Sequence, residues 1–357
     1  MPHYPVPALQ GLFSDAQCLL TADTIARAQH QHSGAIRWFA QGHTDPWDHV
    51  QCAMALSATG HHETAARAYG WLRDTQRSDG SWAIRYDDNG VVDPHTDANF
   101  CAYVATGVWH HWLITQDRDF LTSMWPTVVA GIEAALRHQR PDGAVAWAST
   151  DRGPEPDALL SSNASIQLSL RCAVALAEVQ EEVRPDWELE AGRIGHAVLA
   201  HPELFLAKET HAMDWYYPVL TGLLGAEAGG AHIDRRWEEF VTEGLGVRCV
   251  SDQPWVTGAE TCELVLALDA LGRDADAHAQ FAAMQHLRDT SGGYWTGLVY
   301  SDDKRWPVER TTWTGATVIL AADALTRSTP GNGVFRGEGL LPFRESAPEG
   351  CPCTTRV

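Results

Sequence analysis

The chain has 357 residues, 45% hydrophobic and 9% aromatic, with a formal charge of −20. That length and apolar content suffice for one large buried core. The acidic balance argues against nucleic acid or anionic membranes as partners, because a phosphate surface needs clustered Lys or Arg to displace its counterions.

Apolar residues recur at helical spacing almost end to end. The first predicted helices lie at 15–31, 46–59, 61–77, 97–115, 119–140 and 161–181. Further ones follow at 186–200, 214–226, 233–244, 258–271, 273–289 and 311–327. Stop and start signals divide them: Thr59-Gly60, Ser78-Asp79-Gly80, Arg140-Pro141-Asp142-Gly143, Arg184-Pro185-Asp186, Gly229-Gly230, Leu271-Gly272 and Ser328-Thr329-Pro330. The helices fall into pairs, and alternate helices start near 47, 97, 162, 214, 258 and 312. A spacing of roughly fifty residues suits two helices and two connections, the mark of an internal repeat. A second echo closes the outer helices at Gln76…Gly80-Ser81-Trp82, Gln139…Gly143…Trp147 and Gln285…Gly293-Tyr294-Trp295.

The expected fold is therefore all-α, an (α/α)6 toroid over 1–331, with an irregular tail over 332–357. Connections leading back into inner helices are long, at 78–96, 141–160 and 290–310. They are expected to build a crater around the mouth, with short β ribbons at 82–86 and 294–300.

Each inner helix is preceded by a knot of aromatic, acidic, amide or histidine residues. The knots are Trp47-Asp48-His49, His95 to Asn99, Ser161-Ser162-Asn163, His211 to Tyr216, Trp255 to Glu260 and Arg310 to Trp313. If they open on one face, they converge on a polar cavity lined with aromatic rings. Such a cavity suits a neutral, polyhydroxylated small molecule, so a carbohydrate substrate is the expected partner. Asp97, Asp214, Glu260, Glu263 and Glu309 all lie in or just before inner-helix first turns. Each has a competing role as a helix cap. Glu260 and Glu263 share a face, and Glu260 lies nearer the mouth.

Glycosidic hydrolysis needs one protonated carboxyl to donate to the leaving oxygen and a second to activate water. Glu260, Glu309, Asp97 and Asp214 are the candidate catalytic residues. The candidate substrate contacts are Trp47, Asp48, His95, Asn99, Trp147, Asn163, His211, Trp215, Tyr216, Trp255, Trp295 and Trp313. Carboxylates facing each other across a ring would leave room for water, which predicts inversion.

No cofactor or metal is expected, since no phosphate loop, paired-cysteine motif or His-Glu-x-x-His helix occurs. His61-His62 and His110-His111 read as surface or core histidines, and Asp87-Asp88-Asn89-Gly90 as a turn rather than a calcium loop. The eight cysteines show no disulfide framework. Cys351-Pro352-Cys353 is too closely spaced for a structural bridge and has no companion ligand pair for zinc in the sequence. Met1 to Gln10 lacks a basic segment followed by an apolar run, and no apolar stretch has membrane-spanning length. A cytoplasmic monomer or homodimer is expected.

Three stretches give a family resemblance: Asp97-Ala98-Asn99-Phe100, then Trp109 through Leu121 with Trp125-Pro126, then Arg140-Pro141-Asp142-Gly143. They resemble the second and third hairpins of the six-hairpin glycosidases, the glucoamylase-like group in particular. Arg310 through Ala316 resembles that group's entry into its last inner helix. The resemblance implies a general acid directly after Trp147, where this chain has Ala148, and a general base near Asp302, Asp303 or Glu309. Glu155, Asp157 and Glu260 are the carboxylates left to replace the acid. Gln76…Gly80-Ser81-Trp82 more faintly resembles squalene-cyclase and prenyltransferase β-subunit toroids, but the Asp-x-Asp-Asp acid of the cyclases is absent. A sugar epimerase relying on His residues such as His95 and His211, a lyase on the same toroid, a terpene-cyclase- or prenyltransferase-like enzyme and a non-catalytic sugar-binding toroid stand as alternatives to hydrolysis.

Overall fold

The computed structural model describes residues 3–351. Helices α1 (Asp15–Ala28), α2 (Pro46–Ala58), α3 (His62–Thr75), α4 (Ala98–Thr115), α5 (Arg118–Leu136), α6 (Leu160–Val179) and α7 (Pro185–Ala200) form the first half. The second half holds α8 (Ala212–Leu220), α9 (Ala226–Arg235), α10 (Trp237–Phe240), α11 (Gly258–Ala270), α12 (Asp274–Ala283) and α13 (Thr312–Thr326). α2 packs on α4, α4 on α6, α6 on α8, α8 on α11, α11 on α13 and α13 back on α2, so the inner ring closes. Outside it, α3, α5, α7, α9 and α12 each lie against the preceding inner helix, while α1 covers α13. The expected (α/α)6 toroid is the observed fold.

Burial explains which helices are inside. Every residue of α11 from Gly258 to Asp269 is buried, whereas α3 buries only Ala65, Ala68, Tyr69, Trp71 and Leu72. A helix apolar or small on all sides is stable only when surrounded, and an amphipathic one belongs on a wall. Small residues set the spacing. A side chain at Gly107 of α4 would collide with Val50 of α2 and Tyr69 of α3, and the Tyr69 hydroxyl donates to the Gly107 carbonyl at 2.8 Å.

Caps fix where the inner helices begin. Asp45 accepts from the Asp48 N–H at the head of α2, and Pro46 takes the first helical position, where its missing donor costs nothing. Asp97 accepts from the N–H groups of Asn99 (2.8 Å) and Phe100 (3.3 Å) at the head of α4. The repeated Asp-Gly turns close the outer helices as expected. Gly80 and Gly143 have φ of +82° and +91°, and a side chain at either would strike the Ala130 or Arg193 carbonyl.

Three expectations need correction. α8 ends at Leu220, not 226, because the chain turns at Gly222 with φ +74°. Gly229-Gly230 is not a stop but lies inside α9, where a side chain at Gly229 would meet Leu271. The predicted 233–244 helix is thereby replaced by α9 and the short α10. Residues 330–336 form a 3-10 turn, Pro330–Arg336, packed on α4, α11 and α13, so an irregular tail does not begin at 332. Val334 and Phe335 are buried there, and Arg336 meets the buried Asp269 at 2.5 Å.

The crater holds more strand than expected. β1 (Arg85–Asp87) and β2 (Gly90–Asp93) form the first ribbon, while β3 (Thr96–Asp97), β4 (Ala148–Thr150) and β5 (Gly153–Pro154) form a three-stranded sheet. β6 (Val241–Thr242), β7 (Gly246–Arg248), β8 (Trp255–Thr257), β9 (Gly297–Val299) and β10 (Lys304–Arg305) make an antiparallel five-stranded sheet in the order β10-β9-β8-β7-β6. β3 runs straight into α4 and β8 into α11, so sheet pairing fixes where those helix heads sit. Among the described residues no helix is long and apolar enough to cross a membrane.

Candidate active site

At the N-terminal ends of α2, α4, α8 and α13 lies a cavity of about 250 Å³ lined by Trp38, His43, Asp45, Trp47, Asp48, Ile84, Arg85, Phe100, Met213 and Trp313. Four inner helices contribute a first-turn side chain or cap, as a ring of converging helix heads requires. Trp38 stacks on Trp313, with centroids 5.9 Å apart, and on His43 at 5.6 Å. These faces and Trp47 form aromatic walls around two carboxyl groups.

Those carboxyl groups, Asp45 and Asp48, lie three residues apart on one side of α2. Burial, then the neighbouring Asp45 carboxylate, then Glu263 and Glu260 push the Asp48 carboxyl well above its ordinary range. Burial also raises Asp45, though backbone donors and His43 oppose it. Both shifts favour the protonated carboxyl, more strongly at Asp48.

Below them, side chains from different helices are tied together. Trp313 Nε1 donates to Gln51 Oε1 at 2.9 Å, and Gln51 Nε2 donates to Glu263 Oε1 at 3.3 Å. The hydroxyls of Tyr216 and Tyr217 also donate to Glu263, Tyr217 at 3.0 Å. Burial raises the Glu263 carboxyl to about 7 even against those donors. Glu260, one turn toward the mouth, is 7% exposed. Burial and the Glu260 carboxylate hold the Cys249 thiol well above its usual range.

The structure sorts the residues singled out from sequence. Trp47, Asp48 and Trp313 line the cavity. Glu260 is among the charges acting on Asp48, and Glu309 reaches the rim by accepting from Trp38 Nε1 at 3.0 Å. Tyr216 is buried and serves Glu263. Asn99 is fully buried beside the mouth, with neither side-chain polar atom hydrogen-bonded.

Others lie elsewhere. Asp97 caps α4, and burial raises its carboxyl to about 7. Asp214, next to the lining residue Met213, accepts from the Ser161 N–H at 3.3 Å and, like Glu260 and Glu309, is not itself a lining residue. Asn163 braces the 141–160 loop, accepting from Val145 N at 2.7 Å and donating to the carbonyls of Val145 and Leu159 at 2.9 Å each. Trp215 is a core residue stacked on Phe240, with centroids 4.8 Å apart. His95 pairs with Asp93 at 3.0 Å in an open loop, and His211 occupies the cap position of α8 outside the lining. Trp255 donates to the Trp306 carbonyl at 2.8 Å in the five-stranded sheet, and Trp295 lies under the Arg310 guanidinium. Trp147 meets α4 through its carbonyl, which accepts from Ala98 N at 2.9 Å.

Sequence reasoning passed over Trp38, His43, Asp45 and Arg85. A signal for one of them was present, since Asp45-Pro46-Trp47-Asp48 reads as a cap, a first-turn proline and a second carboxyl on the same face.

No protein-family model matches the chain. It is 57% identical over 350 residues to the MMP endo-(1,4)-3-O-methyl-alpha-D-mannosidase of Mycolicibacterium hassiacum, covering 98% of this chain and 97% of that one. The chain belongs to the family of that endomannosidase. It is accordingly a glycoside hydrolase. Among solved structures, a wild-type glycosidase superposes with a TM-score of 0.69 at 14% identity, over 87% of this chain and 96% of its own. A D-mannose isomerase gives 0.68 at 10% identity, over 88% and 97% of the two chains. A rhamnosidase from Klebsiella oxytoca with rhamnose bound gives 0.64 at 15% identity, over 89% and 65%. These three share the toroidal fold, and the glycosidase toroid expected from sequence holds.

Proposed function

We propose that the chain cleaves α-(1,4) linkages within a chain of 3-O-methyl-D-mannose units, with Asp48 as general acid and Glu260 as general base. The observation that carries the chemistry is the Asp45–Asp48 contact in a buried aromatic cavity. There burial and a like charge favour the protonated form of Asp48, the form that protonating a leaving glycosidic oxygen requires.

Glu260 is carried on α11, separated from α2 in the ring by α13, and acts on Asp48 as a like charge. Inversion is the outcome that an acid and a base on different helices support. A methyl ether at O3 removes a hydroxyl donor and adds an apolar group, which suits a lining of Trp38, Trp47, Ile84, Phe100, Met213 and Trp313. The buried Asn99 amide has no hydrogen-bond partner among the described residues and is left to supply a polar contact for a remaining hydroxyl. Glu309 and Glu263 act as positioning residues, the first holding Trp38 and the second holding Gln51, which anchors Trp313.

The test is incubation with a 3-O-methylmannose oligosaccharide, followed by mass spectrometry and by proton NMR of the first-formed anomer. Fragments of intermediate length with a β reducing end are expected. Release of monosaccharide from one end only, or an α anomer formed first, would overturn the endo or the inverting part respectively.

A further inference from the structure

On the outer wall, away from the mouth, the last described residues run along α7. Ser346 N donates to the Gly192 carbonyl at 3.2 Å, and the Phe343 ring lies where a side chain at Gly195 would be. The path brings Cys351 to two histidines, His196 within α7 and His201 immediately after it. Cys351 Sγ is 3.3 Å from His196 Nε2 and 3.2 Å from His201 Nε2, and the three donor atoms lie within 4.8 Å of one another. The fold thus provides the companion pair that the linear sequence does not reveal.

Each imidazole is held from behind by a carboxylate. His196 Nδ1 meets Glu345 Oε1 at 2.6 Å, and His201 Nδ1 meets Glu203 Oε1 at 2.9 Å. That is how metal-bound histidines are oriented, with the rear nitrogen donating and the front one presenting a lone pair. Tetrahedral zinc, with bonds of about 2.3 Å to sulfur and about 2.0–2.1 Å to nitrogen, sets sulfur and nitrogen about 3.6 Å apart. The two observed separations are within about 0.4 Å of that value, a small side-chain adjustment.

We propose that His196 and His201 through Nε2 and Cys351 as thiolate bind a zinc ion that fastens the end of the chain to α7. Binding expels the thiol proton to solvent, and no redox change is involved.

The test uses full-length, tag-free protein, reduced, stripped with a chelator and reloaded with zinc or cobalt(II). One zinc per chain by elemental mass spectrometry, and a thiolate-to-cobalt charge-transfer band, are the expected results. His196→Ala and His201→Ala should each weaken zinc retention at least tenfold against a chromophoric chelator, and Cys351→Ser should abolish the charge-transfer band. Glycosidase turnover in the variants verifies that the toroid is folded. Zinc retention by the wild type no better than that of the His196→Ala/His201→Ala double variant, or a band that survives Cys351→Ser, overturns the site.

Discussion

The backbone N–H of Asp48 donates to Asp45 Oδ1 across 3.0 Å, so the cap that starts α2 also sets the carboxyl three residues on against the same cavity wall. Burial and the neighbouring carboxyl both favour the protonated form there. Asp48→Asn is expected to lower kcat by about 10²- to 10⁴-fold with little change in KM. Steady-state kinetics decides, and near-normal turnover excludes Asp48 as the acid.

Asp45→Asn gives a different signature. The Asp45 charge raises the Asp48 carboxyl, so neutralising it lowers that pKa. A general acid must be protonated, and activity falls as pH rises through its pKa. The alkaline limb of kcat/KM should therefore move to lower pH in Asp45→Asn. A limb that stays in place refutes the coupling.

Glu260→Gln should lose turnover by a similar factor of about 10²- to 10⁴ while still binding oligosaccharide, measurable by calorimetry beside the kinetics. Glu309→Gln keeps an acceptor for Trp38 and is expected to raise KM more than it lowers kcat. If Glu309→Gln abolishes turnover and Glu260→Gln does not, the two roles are exchanged.

Asp97 provides a test by stability. Burial raises its folded carboxyl from 3.8 to about 7, so the native state binds the proton more tightly than the unfolded chain does. Stability from this group is complete below about pH 4 and is lost as pH rises toward 7, up to a few kcal/mol. Asn caps helices as well as Asp does, so Asp97→Asn should flatten that part of the stability–pH curve and leave glycosidase activity intact. Urea unfolding at pH 5 and pH 8 reads the difference, and a wild-type slope in the variant counts against the assignment.

Asn163→Ala removes an acceptor for Val145 N and donors to two carbonyls in a buried site. A loss on the order of 2–3 kcal/mol in urea denaturation is expected, from backbone groups left without partners. Unchanged stability with impaired turnover would return Asn163 to the substrate.

The ring was legible in the sequence because inner helices such as α11 are apolar or small all round, while outer ones such as α3 show a single face. The cavity was legible only in part. Trp47, Asp48 and Trp313 could be found because helix heads share an end of the toroid. Trp215 carries the same local signal, yet its ring turns outward onto Phe240, a choice set by packing between elements distant in sequence. Asp97 and Asp48 also look alike on paper, and both feel Asp45; what separates them is tertiary, since Asp48 also has Glu260 and Glu263 around it. The missed Trp38 reaches the cavity from the α1–α2 connection, which carries no helical period to place it.

The turn at Pro330–Arg336 lies across the C-terminal ends of α4, α11 and α13, locked by Arg336 on Asp269 and by Thr329 on Asp323. Three of the six inner helices are thus tied together at the end away from the cavity. On the endo reading proposed above, substrate entry and the exit of both products are assigned to the open rim at the other end.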